Sequence, residues 1–215
     1  YIEDLLLKQE MENIFYNSWL CIGRSNKIKK SGEYKIFTIG NESILIIRNE
    51  DNKLKAFYNT CRHRGTRICS KKIGRYSKSI QCPYHGWTYD LSGRLIGAPN
   101  MDLVEQFNKD NYPLFQVDLI EWEGFIFINL SDNPLKFKLE YKSIINRFLE
   151  WGIKDLGIYE SKVYHVNCNW KLIIQNYSEC YHCPIIHKSL ANITSYLGGR
   201  NDLISGPFLG GYMEM

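Results

Sequence analysis

The sequence predicts an α+β chain in which a mostly antiparallel β domain precedes the opening of a second, mixed domain. Three observations carry this. From Tyr34 onward, short runs rich in β-branched and aromatic residues alternate with polar turns. Apolar residues recur at helical spacing near the N-terminus and again from Trp170. Between these, two short loops each hold a Cys and a His, Cys61-Arg62-His63 and Cys82-Pro83-Tyr84-His85. Composition fits a soluble globular protein, with 44% of the 215 residues hydrophobic and 23% charged. No apolar run approaches the roughly 18 residues of a membrane span. The net charge of +4 is spread along the chain, so neither a membrane nor a nucleic acid is expected as partner.

Taken in order, residues 2–20 carry a helical stripe through Leu6, Leu7, Met11, Ile14, Phe15 and Trp19. Strands follow at 34–39, 43–48 and 53–58, separated by Gly40-Asn41 and Asn49-Glu50-Asp51-Asn52. Further strands fall at 79–81, 86–90 and 94–96, the last two joined through Leu91-Ser92-Gly93. Residues 97–113 read as an irregular excursion, and the β pattern resumes at 114–121 and 124–129. Asp132-Asn133-Pro134 marks a boundary. This divides the chain into a helical segment (1–31) packing on the last domain, a β domain (32–133) and the start of a third part (134–215). In that part we expect a helix at 141–151, a strand at 161–167, and a helix capped by Asn169 and broken near His182 by Pro184.

The two Cys/His loops supply two thiolates and two imidazoles. A Rieske [2Fe–2S] cluster uses that set, Cys61 and Cys82 on one iron, His63 and His85 on the other. Neutral imidazoles leave such a cluster less negative than an all-Cys centre and raise its potential. Gly65 and Gly86 follow the two His, where backbone must approach sulfur closely. A Cys2His2 zinc site would use the same atoms, but zinc sites usually take both Cys from one knuckle. The basic residues Arg62, Arg64, Arg67, Lys71, Lys72 and Arg75 surround this stretch. A solvated loop is their ordinary reading and a docking face for an acidic electron donor the functional one; the ordinary reading is preferred. The other five of the seven Cys show no disulfide-framework spacing, which fits a reducing, cytoplasmic compartment. Leu5-Leu6-Leu7 is too short for a signal segment and follows Glu3 and Asp4.

A second constellation lies on the run from Trp170. At 100° per residue, Trp170, Ile173, Ile174, Tyr177, Cys180 and Tyr181 share one face, and Gln175, Glu179 and His182 the other. The break at Pro184 swings His187 back toward His182. Two His and a carboxylate suggest the two-His-one-carboxylate site of non-haem Fe(II) oxygenases, which leaves positions for O2 and substrate. A zinc or thiol-redox site at Cys180-Tyr181-His182-Cys183 is the rival reading.

Asn59-Thr60-Cys61-Arg62-His63-Arg64-Gly65 and Cys82-Pro83-Tyr84-His85-Gly86-Trp87-Thr88-Tyr89 resemble the paired cluster loops of Rieske non-haem iron oxygenase alpha subunits. Trp122-Glu123-Gly124-Phe125-Ile126-Phe127-Ile128-Asn129-Leu130 adds to the match. Asn169-Trp170-Lys171-Leu172, the run from Asn176 to Pro184, and His187 resemble that family's iron-binding segment. The resemblance implies a Rieske domain followed by a helix-grip-like catalytic domain. It implies electrons from an NAD(P)H-dependent reductase or ferredoxin, a mononuclear Fe(II), and O2-dependent hydroxylation of a small organic substrate in a homotrimer. By the same resemblance His182 and His187 are iron ligands, and Glu179 is the acidic residue linking the two metal centres.

Glu at that position resembles the branch acting on choline, carnitine and glycine betaine. Asp is common there in aromatic ring-hydroxylating dioxygenases, which are one alternative. A Rieske electron carrier, needing only residues 32–133, is another. The family's third iron ligand is a downstream Asp that nothing here matches, since Asp202 and Glu214 lie too close to His187. That ligand is expected beyond Met215. The 215 residues thus read as the N-terminal part of a longer oxygenase, inactive alone.

Overall fold

A computed structural model describes residues 2–202, 204–208 and 210–213. The chain forms two compact units. One comprises Lys8–Pro134 with Gly152–Gly157, the other the segments up to Leu7, Leu135–Trp151 and from Ile158 onward.

The first unit holds β1 (Leu20–Arg24), β2 (Glu33–Ile39), β3 (Glu42–Arg48), β4 (Leu54–Tyr58), β5 (Ile73–Arg75), β6 (Ser79–Gln81), β7 (Thr88–Asp90), β8 (Leu95–Gly97), β9 (Gln116–Trp122) and β10 (Phe125–Asn129). They make a seven-stranded sheet in the order β1-β10-β9-β4-β3-β2-β5 and a three-stranded sheet β6-β7-β8, with antiparallel pairs throughout. The interior strand β3 explains how this unit is built. Its alternate side chains point to opposite faces. Leu45 and Ile47 enter a core shared with Phe57, Trp87 and Tyr89, while Ile44 and Ile46 enter a second core with Val117 and Ile126. The first of these cores contains Cys61 and Cys82. The expected β domain is present.

Its edges differ from the sequence expectation. The helical stripe is shorter, with α1 (Asp4–Glu10) running into a π-helical turn at Met11–Phe15. Leu20–Arg24 then forms the edge strand β1 on β10, with a register shift between Cys21 and Gly23. A boundary at residue 32 therefore cuts one sheet between two of its strands. Arg24 at the end of β1 is buried. Its Nη1 donates to the Glu123 carbonyl at 3.0 Å. Its Nη2 donates to the carbonyls of Ile153 (2.9 Å), Lys154 (3.1 Å) and Leu156 (2.7 Å). The guanidinium also lies 4.4 Å from the Phe125 ring centre. One side chain thus ties the 152–157 segment to this unit.

In the second unit α2 (Phe137–Glu140) is followed by successive turns rather than the helix expected at 141–151. Asn146 adopts φ 71°, a left-handed conformation that interrupts a right-handed helix. Residues 161–167, expected as a strand, form no ladder among the described residues. The unit continues with α3 (Trp170–Ser178), α4 (Cys183–Ile186), α5 (Lys188–Ala191), and the paired strands β11 (Arg200–Asp202) and β12 (Gly210–Tyr212). Asn169 caps α3, its Oδ1 accepting from Lys171 N at 3.0 Å. No helix among the described residues is long and apolar enough to cross a membrane.

Candidate metal centres

The two Cys/His loops fold alike. Cys61 N–H donates to the Thr66 carbonyl at 2.8 Å, and Gly65 N–H returns to the Cys61 carbonyl at 3.0 Å. In the second loop Cys82 N–H donates to Trp87 O at 2.8 Å, and Gly86 N–H to Cys82 O at 3.1 Å. Closing each loop requires its glycine at positive φ, 69° for Gly65 and 73° for Gly86. The sheet positions both loops, since β4 ends just before the first and β7 begins just after the second.

Within this frame the four predicted residues converge. Cys61 and Cys82 are both buried in the same core. The His63 and His85 rings meet edge to face with centroids 4.7 Å apart. Trp87 stacks on His63 at 4.9 Å and 8°, fixing the ring plane from behind. Burial is the main cause raising the Cys61 thiol pKa, so a metal must displace that proton. Burial, then His85 and Arg64, lowers the His63 pKa and favours the neutral imidazole that ligates metal.

His63 Nδ1 is buried without a hydrogen-bond partner. A buried, unpaired polar atom is costly unless something binds it. This orphaned nitrogen, beside two buried thiols and a second imidazole, fits a [2Fe–2S] cluster. Among the described residues no three His, Cys, Asp or Glu side chains are arranged around a single ion. A Rieske centre asks for only two protein ligands on each iron.

Tyr89 is a supporting residue to which sequence reasoning gave no role, although it ends the second quoted loop. Its hydroxyl lies 3.3 Å from Cys61 Sγ and accepts from Arg62 N at 3.1 Å. With Arg62 N–H on its oxygen, the phenol proton is free to point at sulfur. Asn59, also buried, holds both backbone groups of Cys69: Oδ1 accepts from Cys69 N at 2.8 Å and Nδ2 donates to Cys69 O at 2.8 Å.

The second constellation is assembled differently from the helical expectation. α3 stops at Ser178, and Glu179 is extended at φ −127°, ψ 154°. Glu179 and His182 therefore do not share a helix, yet Glu179 Oε1 lies 2.6 Å from His182 Nδ1 across a turn. Glu179 Oε2 accepts from Tyr181 N at 2.5 Å. The His182 bond is the main cause of the lowered Glu179 pKa. With Nδ1 fixed this way, His182 offers Nε2 to a metal. His187 ends α4, and its ring centre lies 5.2 Å from that of His182. The turn after Pro184 does bring the two imidazoles together.

Cys180 and Cys183, on either side of His182, are joined as a disulfide with Cα atoms 5.0 Å apart, a pairing not anticipated from their spacing. Of the two nearby acids, Asp202 is paired with Arg147, and Glu214 lies outside the described residues. Two His without a third protein ligand fit a mononuclear iron in part.

Comparison with known proteins gives these geometries a context. The Rieske [2Fe-2S] domain profile matches residues 18–108, and that of the ring hydroxylating alpha subunit (catalytic domain) matches residues 153–202. The carnitine monooxygenase oxygenase subunit of Acinetobacter baumannii is 37% identical over 194 residues, covering 89% of this chain and 52% of the relative. The glycine betaine monooxygenase oxygenase subunit of Chromohalobacter salexigens is 33% identical over 192 residues, covering 89% and 43%. A solved quaternary ammonium Rieske monooxygenase, studied for carnitine oxidation and inter-subunit electron transfer, superimposes with TM-score 0.84 at 34% identity, covering 92% of this chain and 54% of that one. The chain spans about half the length of the curated relatives it matches. With the paired Cys/His loops inside the first match and His182 and His187 inside the second, the chain carries a Rieske [2Fe–2S] domain and part of the catalytic domain of a ring hydroxylating alpha subunit; a Rieske domain implies a [2Fe–2S] cluster, and the oxygenase family has a mononuclear iron site.

Proposed function

We propose that this chain is part of the oxygenase component of a Rieske monooxygenase acting on a quaternary ammonium compound. The cluster is held by Cys61, His63, Cys82 and His85, and the mononuclear iron by His182 and His187 with a further ligand. The observation that carries the reading is the orphaned Nδ1 of His63 beside the buried Cys61 and Cys82. Together the two centres supply electron transfer and O2 activation for hydroxylation. The substrate class rests on the carnitine and glycine betaine relatives and on Glu179 in place of the Asp common in ring hydroxylases. The electron donor is an NAD(P)H-dependent reductase or ferredoxin, the assembly a homotrimer, and the compartment the cytoplasm.

Glu179 links the centres. Its carboxylate already holds His182, and a cluster His keeps an outward N–H needing an acceptor. In a trimer, His85 of an adjoining copy supplies that donor. The test uses the holoenzyme. Wild type should contain a rhombic Rieske EPR signal, labile sulfide and additional mononuclear iron, and should hydroxylate carnitine or glycine betaine. Glu179→Ala should keep the cluster signal and iron while single-turnover electron transfer collapses. Transfer at the wild-type rate would remove Glu179 from the bridge, and absence of labile sulfide would overturn the cluster.

Tyr89→Phe gives a finer check. An O–H directed at sulfur stabilises the more negative, reduced cluster. Its removal should lower the midpoint potential by roughly 50–100 mV, equivalent to about 1–2 kcal/mol. Protein-film voltammetry reads this, and an unchanged potential would show that the phenol donates elsewhere.

A further inference from the structure

Five of the seven cysteines stand outside any disulfide, and the remaining two, Cys180 and Cys183, are bonded to each other. Their bond closes a ring of four residues that contains His182, a proposed iron ligand. Other constraints on this stretch are few. α3 has ended at Ser178, and Glu179 is extended. α4 is one turn of four residues with Pro184 near its start, and a single turn gains too few backbone bonds to stand alone. Tyr181 projects into solvent at 87% exposure, Cys180 is half-buried and Cys183 is buried.

Within the ring, Cys183 N–H donates to the Cys180 carbonyl at 3.1 Å. The Cys183 carbonyl in turn accepts from His187 N at 2.8 Å. Cys183 is therefore tied through its sulfur to the turn that carries Glu179 and His182, and through its carbonyl to the second imidazole. Opening the S–S bond leaves the ring closed by one hydrogen bond, and the backbone around His182 regains conformational freedom. Groups that orient a ligating His contribute about 10–100-fold to metal affinity. The sulfur bridge is such a group, acting through the backbone.

We propose that Cys180 and Cys183 form an exchange site for small-molecule thiols and disulfides, and that its closed state holds His182 beside His187 for the metal. This rests on the oxygenase reading above and sets a redox condition on its iron site. In the reducing compartment of that reading a disulfide is a transient, responsive bond. In opening, a small thiolate attacks the half-buried Cys180 sulfur and Cys183 leaves as thiolate. A second small thiol then attacks the mixed disulfide and releases Cys180. The protein disulfide is reduced to two thiols, two reagent thiols are oxidised to one disulfide, and their two protons pass to the cysteines. Oxidised glutathione runs the same exchange in reverse. Cys180 and Cys183 are positioning residues, acting on the metal through His182.

The experiment treats assembled holoenzyme anaerobically with dithiothreitol or with oxidised glutathione and then removes the reagent. Mass mapping of alkylated peptides should show Cys180 and Cys183 both labelled after dithiothreitol and both protected after glutathione disulfide. Release of iron to the chelator ferrozine should be about tenfold faster from the reduced protein. Labile sulfide and the Rieske EPR signal should stay constant in both samples, so that the iron released is the mononuclear one. Re-oxidation should restore slow release. Cys180→Ser/Cys183→Ser should release iron at the fast rate under either treatment, and Cys168→Ser, at an exposed unbonded cysteine, should behave as wild type. Should the double variant not fold, the wild-type samples decide alone.

Failure of the pair to exchange in the assembled holoenzyme, or equal iron release from the two thiol states, would overturn the proposal. So would a double variant that still responds to dithiothreitol, since the reagent would then act elsewhere, or sulfide lost in step with iron. Failure of the oxygenase reading is seen separately, before any treatment. A wild-type protein without the Rieske spectrum or without mononuclear iron removes that reading and this inference with it, whereas iron held equally in both thiol states removes the inference alone.

Discussion

Replacement of His85 by Cys is expected to abolish the rhombic Rieske EPR signal while the β fold persists. Two neutral imidazoles on one iron give the centre its character, and a thiolate in place of one adds a negative charge. Charge at the outer iron is what separates Rieske potentials from the roughly −400 mV of plant-type ferredoxins. The fold should survive because His85 is exposed, so its loss opens no core cavity. Its ring contacts are Tyr84 and His63, both within the cluster loops. Circular dichroism checks the fold and EPR the cluster. An unchanged rhombic signal would strike His85 from the ligand set. Cys61 and Cys82 are poorer choices for this test, since both belong to the buried core and their substitution disturbs packing as well.

Arg24→Ala should destabilise the protein by about 3–5 kcal/mol, among the larger effects of single substitutions. Removing the guanidinium leaves the carbonyls of Glu123, Ile153, Lys154 and Leu156 without their donor. The Ile153 carbonyl keeps the Leu156 N–H at 3.3 Å, each of the other three costs up to about 1–3 kcal/mol where it stays out of water, and water entering the gap recovers part of the total. The stacking on Phe125 is lost as well. Arg24→Lys should recover only part of the stability, because an ammonium offers a compact set of donors in place of a planar fork. Urea unfolding measures both variants. A loss below about 1 kcal/mol for the alanine variant would mean that water replaces the guanidinium at little cost.

The two cluster loops were legible because their chemistry is local. A Cys and a His within four residues, followed by glycine, restrict what each loop can do. The β runs were legible because alternation and turn residues coincide. What sequence reasoning missed depends on contacts remote in sequence. β1 is five residues long with a register shift, and its strand character comes from pairing with β10 roughly 100 residues later. Asn146 breaks the stretch that periodicity reads as a helix and Glu179 ends α3 early, and periodicity does not register a single residue leaving helical geometry. Glu179 still meets His182, but across a turn instead of along a face. Tyr89 stood in the quoted motif without a role, because the nearness of its hydroxyl to Cys61 follows from the fold. The Cys180–Cys183 pair, which in sequence reads as a zinc or thiol-redox site, is joined as a disulfide.

The clamp on Arg24 also bears on the order of events during synthesis. The last strand of the sheet is complete at Asn129, but three of the four Arg24 acceptors belong to Ile153, Lys154 and Leu156. A ribosome adding about 5–20 residues per second needs roughly 1–5 s to make that interval. Throughout that time the nascent sheet holds a cation at the end of an edge strand with most of its bonds unmade. Chains released from the ribosome and ending just short of residue 152 should therefore be more open to protease around β1 than released chains that carry residues 152–157. Closing this unit is a late event, made by a segment that emerges after the chain has already left the sheet.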